Sequence, residues 1–253
     1  MPEGDTIHRA ARRMDAALGG REMVLADAPN ARSPIHGRAK RLEGSVLERV
    51  EARGKHLLAH FSTGEVIHSH LGMNGRWWIT VDGQMPYGKP WLVLSSGRGI
   101  ASQTGGKLLR LVSESRIRND PGLAQLGPDP LSGSFDTAEA AARLRRLGSG
   151  REIGDALLDQ TIIAGIGNAI RNEALFRSGL SPWHKVSDLD TEQLERIVLE
   201  NERVMEISMA KGRRPRAIYR AVRRGCPACG GKVRSSGQGD ANRMAYWCPA
   251  CQA

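Results

Sequence analysis

The chain opens on a helical pattern and then changes period. Ile7, Ala10, Met14 and Ala17/Leu18 recur at three- and four-residue spacing between polar positions, which predicts an amphipathic helix closed by Gly19-Gly20. Asp5 stands where a capping carboxylate would start it. Short apolar stretches follow at 23–26, 46–50, 56–61, 66–71, 77–81, 91–94 and 108–112, most of them punctuated by Gly, Asn or Asp. That texture predicts an antiparallel sandwich or barrel. Breaks at Asn119-Asp120-Pro121-Gly122 and Gly127-Pro128-Asp129-Pro130 close this β-rich front.

From Thr137 the period becomes helical again. Helices are predicted over 137–147, 154–158 and 169–178, with a turn at Gly165-Ile166-Gly167-Asn168 before the last. Asp190 and Gln193 have the spacing of a reciprocal capping box. The helix they open carries Leu194, Ile197, Val198, Val204 and Met205 on one face. A strongly basic stretch at 211–224 leads into a cysteine-bearing tail with a strand-like run at 244–247. The expected modules are 1–130, 131–222 and 223–253.

Charge narrows the function. The chain of 253 residues carries a formal net charge of +10, which favours a polyanionic partner because basic side chains release counterions from a phosphate backbone. Aromatic residues make up only 4%, so phosphate contacts and inserted wedges fit better than stacking on bases. No apolar run is long enough to span a bilayer, and Glu3 and Asp5 precede any apolar stretch, against a signal peptide. The expectation is a soluble cytoplasmic, nucleoid-associated protein, monomeric and without a membrane partner.

The four cysteines form two C-x-x-C pairs, Cys226/Cys229 and Cys248/Cys251, with 18 residues between them. Two such knuckles can place four thiolates tetrahedrally around one structural Zn2+, a soft-ligand site closed to solvent. Arg243, between the knuckles, suits a phosphate contact from a hairpin; spacing alone fits a solvated surface charge equally well.

The sequence begins Met1-Pro2-Glu3-Gly4. Initiator methionine is normally removed before proline, and removal exposes a secondary amine. An α-amino group has a pKa near 8, so a sizeable fraction is neutral at pH 7. Such an amine can attack C1′ of a deoxyribose and form an iminium, which acidifies the C2′ proton and promotes loss of the 3′ phosphate. Glu3 is placed to act as a general acid on the sugar.

These residues have company. Met1-Pro2-Glu3-Gly4 resembles the start of the formamidopyrimidine-DNA glycosylase/endonuclease VIII family. Arg53-Gly54-Lys55-His56-Leu57-Leu58 is similar to its lysine-bearing hairpin. His68-Ser69-His70-Leu71-Gly72-Met73-Asn74-Gly75 is similar to its H-L-G-M-S-G loop. Ala164-Gly165-Ile166-Gly167-Asn168 with Glu173 and Leu175 resembles the turn of its helix-two-turn-helix motif, and the cysteine tail resembles its zinc finger. The resemblance spans nearly the whole chain. It implies an α+β multidomain fold: an N-terminal helix and β-sandwich, a helix-two-turn-helix helical domain, and a C-terminal zinc-finger β-hairpin. It implies damaged DNA as partner, base excision and an abasic-site lyase working by β,δ-elimination. Pro2 would be the Schiff-base nucleophile and Glu3 the proton donor. Lys55 would assist β-elimination from a flanking phosphate, and Arg243 would assist δ-elimination. His70 and Asn168 would hold phosphates, and Met73 would fill the stack vacated by an extruded base. Read without the resemblance, Met73 fits core packing, Lys55 a solvated charge, and Gly165–Asn168 any tight turn.

Three departures bear on substrate. Thr6 stands where the family often has a second carboxylate. The arginine and phenylalanine that fill the void in the formamidopyrimidine branch are absent near Gln103-Thr104-Gly105-Gly106-Lys107, so action on single strands is a possibility to test. Only 16 residues separate Met209 from Cys226, without a long glycine-rich lesion-capping loop. These place the chain nearer the endonuclease VIII branch, in an actinobacterial-like form, and point to oxidised pyrimidines. Competing readings are an oxidised-purine glycosylase of the same fold and a non-catalytic zinc-finger DNA-binding protein.

Overall fold

The structure, a computed structural model, describes residues 1–81, 84 and 88–252. It divides into two compact units, Met1–Ala124 and Gln125–Ala253.

The first unit begins with helix α1 (Gly4–Leu18). Its apolar stripe is the one the spacing predicts: Ile7, Ala10, Met14, Ala17 and Leu18 are all buried. Burying a side chain the size of Ile7, Met14 or Leu18 stabilises the fold by about 1.5–3 kcal/mol. The start differs from the prediction. Glu3 occupies the cap position, its carbonyl accepting from the N–H groups of Thr6 (2.9 Å) and Ile7 (3.2 Å). Asp5 therefore sits inside the first turn, buried, where the helix dipole favours a carboxylate, and Arg9 lies 3.7 Å from it.

Two four-stranded antiparallel sheets share a core with α1. One runs in the order β1 (Leu25–Asp27), β6 (Leu92–Ser95), β7 (Ile100–Thr104), β5 (Arg76–Thr80). The other runs β2 (Leu47–Arg53), β3 (His56–Phe61), β4 (Glu65–His70), β8 (Leu108–Ser113). Seven of these strands match predicted apolar stretches. β7 was not predicted, because it reads Ile-Ala-Ser-Gln-Thr and hides its burial behind polar letters: Ser102 and Gln103 are completely buried. The break predicted at Asn119–Gly122 is partly helical. Short helix α2 (Glu114–Arg118) ends at it and α3 (Pro121–Ala124) begins within it, the second started by a proline, which the first helical position tolerates.

The second unit holds α4 (Thr137–Gly148), α5 (Ile153–Ala156), α6 (Asn168–Ser178) and α7 (Thr191–Lys211) around an aliphatic core. The capping box at α7 is formed in both directions: Gln193 N–H donates to Asp190 Oδ1 (2.8 Å) and Asp190 N–H to Gln193 Oε1 (2.9 Å). A hairpin, β9 (Arg234–Gln238) and β10 (Arg243–Trp247), follows. A small cluster of Ile218, Ala221, Cys226, Val233 and Cys248, with Phe176 of α6 against it, packs the tail onto the helices.

Candidate functional site

The first unit carries Pro2, Glu3, Lys55, His70 and Met73. Pro2 is partly exposed immediately before α1, and Glu3 is completely buried beside it. Lys55 lies in the two-residue turn between β2 and β3, where Arg53 pairs with His56. Gly54 takes φ +58° at the first turn position, the conformation a glycine-first hairpin turn demands. His70 ends β4, and its Nδ1 accepts from Gly72 N–H at 3.1 Å. Burial, then the charges of Lys107 and Lys55, hold its imidazole below the usual value. The loop after it is pinned at Leu71, which is buried, and projects Met73, which is 65% exposed.

That loop lies directly on a second one. A methyl group on Gly75 would come within 2.8 Å of Gly106 Cα and 2.6 Å of Leu71 O, so only glycine permits this approach. Buried Gln103 of β7 ties the second loop to β4 of the other sheet: its Nε2 donates to Gly105 O (2.7 Å) and its Oε1 accepts from Ser69 Oγ (2.7 Å). Gln103 is a residue that sequence reading treats only as part of a departure. Its signal, a glutamine in a short β-forming run, is too weak to single it out.

The second unit brings Asn168 and Arg243 together through a residue the sequence did not flag. Arg171 is completely buried on α6. It donates to Asn168 Oδ1 (2.9 Å), Gly154 O (2.5 Å), Gln238 Oε1 (2.9 Å) and Arg243 O (2.9 Å). Asn168 Nδ2 donates to Met244 O at 3.1 Å, and Tyr246 N–H donates to Asn172 Oδ1 at 2.6 Å. The head of α6 thereby fixes the backbone of β10, with the Arg243 side chain left exposed at the strand's start. Glu173 is buried and accepts from the N–H groups of Ala217 (2.8 Å), Ile218 (3.1 Å) and Tyr219 (2.8 Å). Burial raises its pKa above the usual carboxylate range even though those three donors pull it down.

The four cysteine sulfurs lie within 4.8 Å of one another. Cys226 and Cys251 are 3.8 Å apart, and Cys229 and Cys248 3.5 Å. A tetrahedral site with metal–sulfur bonds of about 2.3 Å spaces its sulfurs about 3.8 Å apart, so the donor set fits one metal ion. Four crowded thiols cannot all ionise without a cation. Burial raises Cys226, but N–H donors from Ala228 and Cys229 bring it down to about 7, whereas bonding to Cys229 and burial push Cys251 up to about 12.

Residues 1–109 match the formamidopyrimidine-DNA glycosylase N-terminal domain, and residues 126–217 the formamidopyrimidine-DNA glycosylase H2TH domain. Among curated relatives, the probable endonuclease 8 2 of Streptomyces coelicolor is 37% identical over 270 residues, covering all of this chain and 94% of the relative. The endonuclease 8 1 of Mycobacterium tuberculosis is 31% identical over 280 residues and is covered in full. The fold is that of the Lactococcus lactis Fpg (MutM) in its complex with N7-benzyl-Fapy-dG DNA, at TM-score 0.83 and 20% identity over 99% of both chains. No helix among the described residues is long and apolar enough to cross a membrane. With both domain models in order and curated relatives matched along the whole chain, this protein belongs to the formamidopyrimidine-DNA glycosylase/endonuclease VIII family of DNA glycosylases.

Proposed function

We propose that this protein excises oxidised pyrimidines from DNA and then cuts the strand, through a Schiff base on Pro2. The observation that carries the reading is the head of α1. Pro2 keeps partial exposure while the adjoining carboxyl of Glu3 is completely buried, and the positive end of the helix dipole favours a nearby phosphate.

After removal of Met1, the Pro2 nitrogen lone pair forms a bond to C1′ as the bond from C1′ to the base breaks; the base leaves with that electron pair and takes up the proton that the amine nitrogen loses. Glu3 gives a proton to the ring oxygen, and the sugar opens to an iminium. Loss of the acidified C2′ proton expels the 3′ phosphate, and a second elimination expels the 5′ phosphate. Water then releases Pro2. Lys55 and Arg243 hold the phosphates that leave. His70 donates to a neighbouring phosphate, as does Asn168 through its second amide proton. Met73 enters the space left by the extruded base. We assign the metal to Zn2+, held by Cys226, Cys229, Cys248 and Cys251; when bound it supplies structural cross-linking of the tail and no chemistry at the sugar. The division into modules 1–130, 131–222 and 223–253, and a monomer acting in the nucleoid, belong to this reading.

The test is borohydride trapping with oligonucleotides that each contain one lesion. A covalent adduct with 5-hydroxyuracil or thymine glycol is expected, lost in Pro2→Gly. Preferential trapping on 8-oxoguanine would move the protein to the oxidised-purine reading, and absence of any adduct would support binding without catalysis. The same oligonucleotides as single strands test the effect of the missing void-filling residues: activity confined to duplex would refute single-strand use.

A further inference from the structure

Three histidines of the first unit have tautomers that follow from partners with only one possible role. Arg110 of β8 places Nε 3.0 Å and Nη2 2.8 Å from His68 Nδ1. A guanidinium only donates, so His68 Nδ1 accepts and its proton sits on Nε2. That nitrogen is 2.8 Å from His56 Nδ1. Nε2–H of His68 therefore donates, His56 Nδ1 accepts, and the His56 proton also sits on Nε2. Separately, the Gly72 N–H bond to Nδ1 places the His70 proton on Nε2. The His56 and His70 rings meet edge to face, 4.8 Å between centroids at 66°. At the far end Asp120 pairs with Arg110 and is itself fixed by the N–H of Leu123 at 2.9 Å.

We infer that Asp120, Arg110, His68 and His56 form a positioning chain that holds the His70 ring in one orientation, while the Gly72 N–H bond fixes its tautomer, so that it offers a single Nε2–H to a DNA phosphate. The inference deepens the reading of His70 as a phosphate ligand and rests on it. Protonating His70 on Nδ1 would break the Gly72 bond, which also anchors the loop that carries Met73. A neutral ring adds direction without adding charge, because Lys55 and Lys107 already face it. His56 faces His70, His68, Asp120 and Arg110, and His68 faces Arg110, Asp120 and His70. Burial first, then proximity to the neighbouring imidazoles and to Arg110, bring His56 down to about 3 and His68 down to about 4 against the opposing pull of Asp120. Neutral rings at pH 7 agree with the donor assignment.

Long-range 1H–15N spectra of histidine-labelled protein without DNA read the tautomers directly. Wild type is expected to show the Nε2–H pattern for His56, His68 and His70 at pH 7. Arg110→Met is expected to lose it at His68 and His56, while His8, His36 and His184 keep their signals and certify the fold. Asp120→Asn, which leaves Arg110 in place, should shift the same rings less. Arg110→Met should bind a duplex with a tetrahydrofuran abasic analogue about fivefold more weakly, the loss expected for one poorly aimed hydrogen bond, with its single-turnover rate at saturation within about twofold. An Nδ1–H or cationic ring in wild type, a wild-type spectrum in Arg110→Met, or unchanged affinity in that variant would overturn the chain. Unchanged affinity in His70→Asn would instead show that the phosphate reading has failed and carried the proposal with it, whatever the tautomers.

Discussion

Both units bury polar side chains, but they connect them differently. At the head of α6, Asn168, Arg171, Asn172 and Glu173 are bonded mainly to backbone: to the carbonyls of Met244, Gly154 and Arg243 and to the N–H groups of residues 217–219 and 246. In the sandwich two networks run from side chain to side chain: His56 to His68 to Arg110 to Asp120, and His60 to Glu51 and Glu114. Bonds to backbone fix where a chain segment lies, and they set the strand that carries Arg243. Bonds between titratable side chains fix orientation only while the protonation states hold. The second unit is therefore built to hold a hairpin in place, and the first to aim rings and loops.

The largest expected effect breaks the backbone hub. Arg171→Met strands several buried oxygens that Arg171 now satisfies, so chemical denaturation should show a loss of about 3 kcal/mol or more, with DNA affinity falling alongside. Next is the tail beyond that hub. Cys229→Ser should reduce metal content below one ion per chain by elemental analysis and weaken DNA binding, because the tail has only a small apolar cluster of its own. If metal content is unaffected, the four sulfurs are not a metal site.

The side-chain networks of the sandwich predict a pH dependence of their own. For His56 and His68 the folded pKa is depressed below the ordinary imidazole value of 6.5. Their contribution to stability is full above about pH 6.5 and is lost as pH falls towards about 4, because the unfolded chain takes up protons that the folded one refuses. Each ring contributes at most about 1.4 kcal/mol per pH unit in that window. Thermal midpoints should fall from pH 7 to pH 5, and His68→Asn should flatten the slope. The smallest effect on stability is at the exposed loop. Met73→Ala should change unfolding free energy by no more than about 0.5 kcal/mol, as an exposed side chain allows, yet weaken binding to a lesion duplex. A large stability loss there would favour core packing over a wedge.

The same contrast explains what the sequence could reveal. Periodicity located α1, seven strands and the capping box of α7, because apolar spacing and cap chemistry are local. The cysteine spacing announced four converging sulfurs for the same reason. β7 escaped because Ser102 and Gln103 are buried by tertiary hydrogen bonds that polar letters do not advertise. Asp5 has the sequence signature of a cap because a carboxylate before an apolar stripe reads alike at the cap and in the first turn. Arg171 was invisible for a deeper reason: a buried arginine on a helix is defined by the carbonyls it meets, and those come from residues 154 and 243. The histidine chain likewise needs β3, β4 and β8 side by side before its members meet.

The central chemical claim is that the amine of Pro2 becomes bonded to the sugar. Proteolysis of a borohydride-trapped complex followed by peptide mass analysis reads this directly. The expected result is a single modified peptide that starts at Pro2, lacks Met1 and carries the reduced deoxyribose on its terminal nitrogen. A modified lysine such as Lys55, or active protein that keeps Met1, would contradict the account.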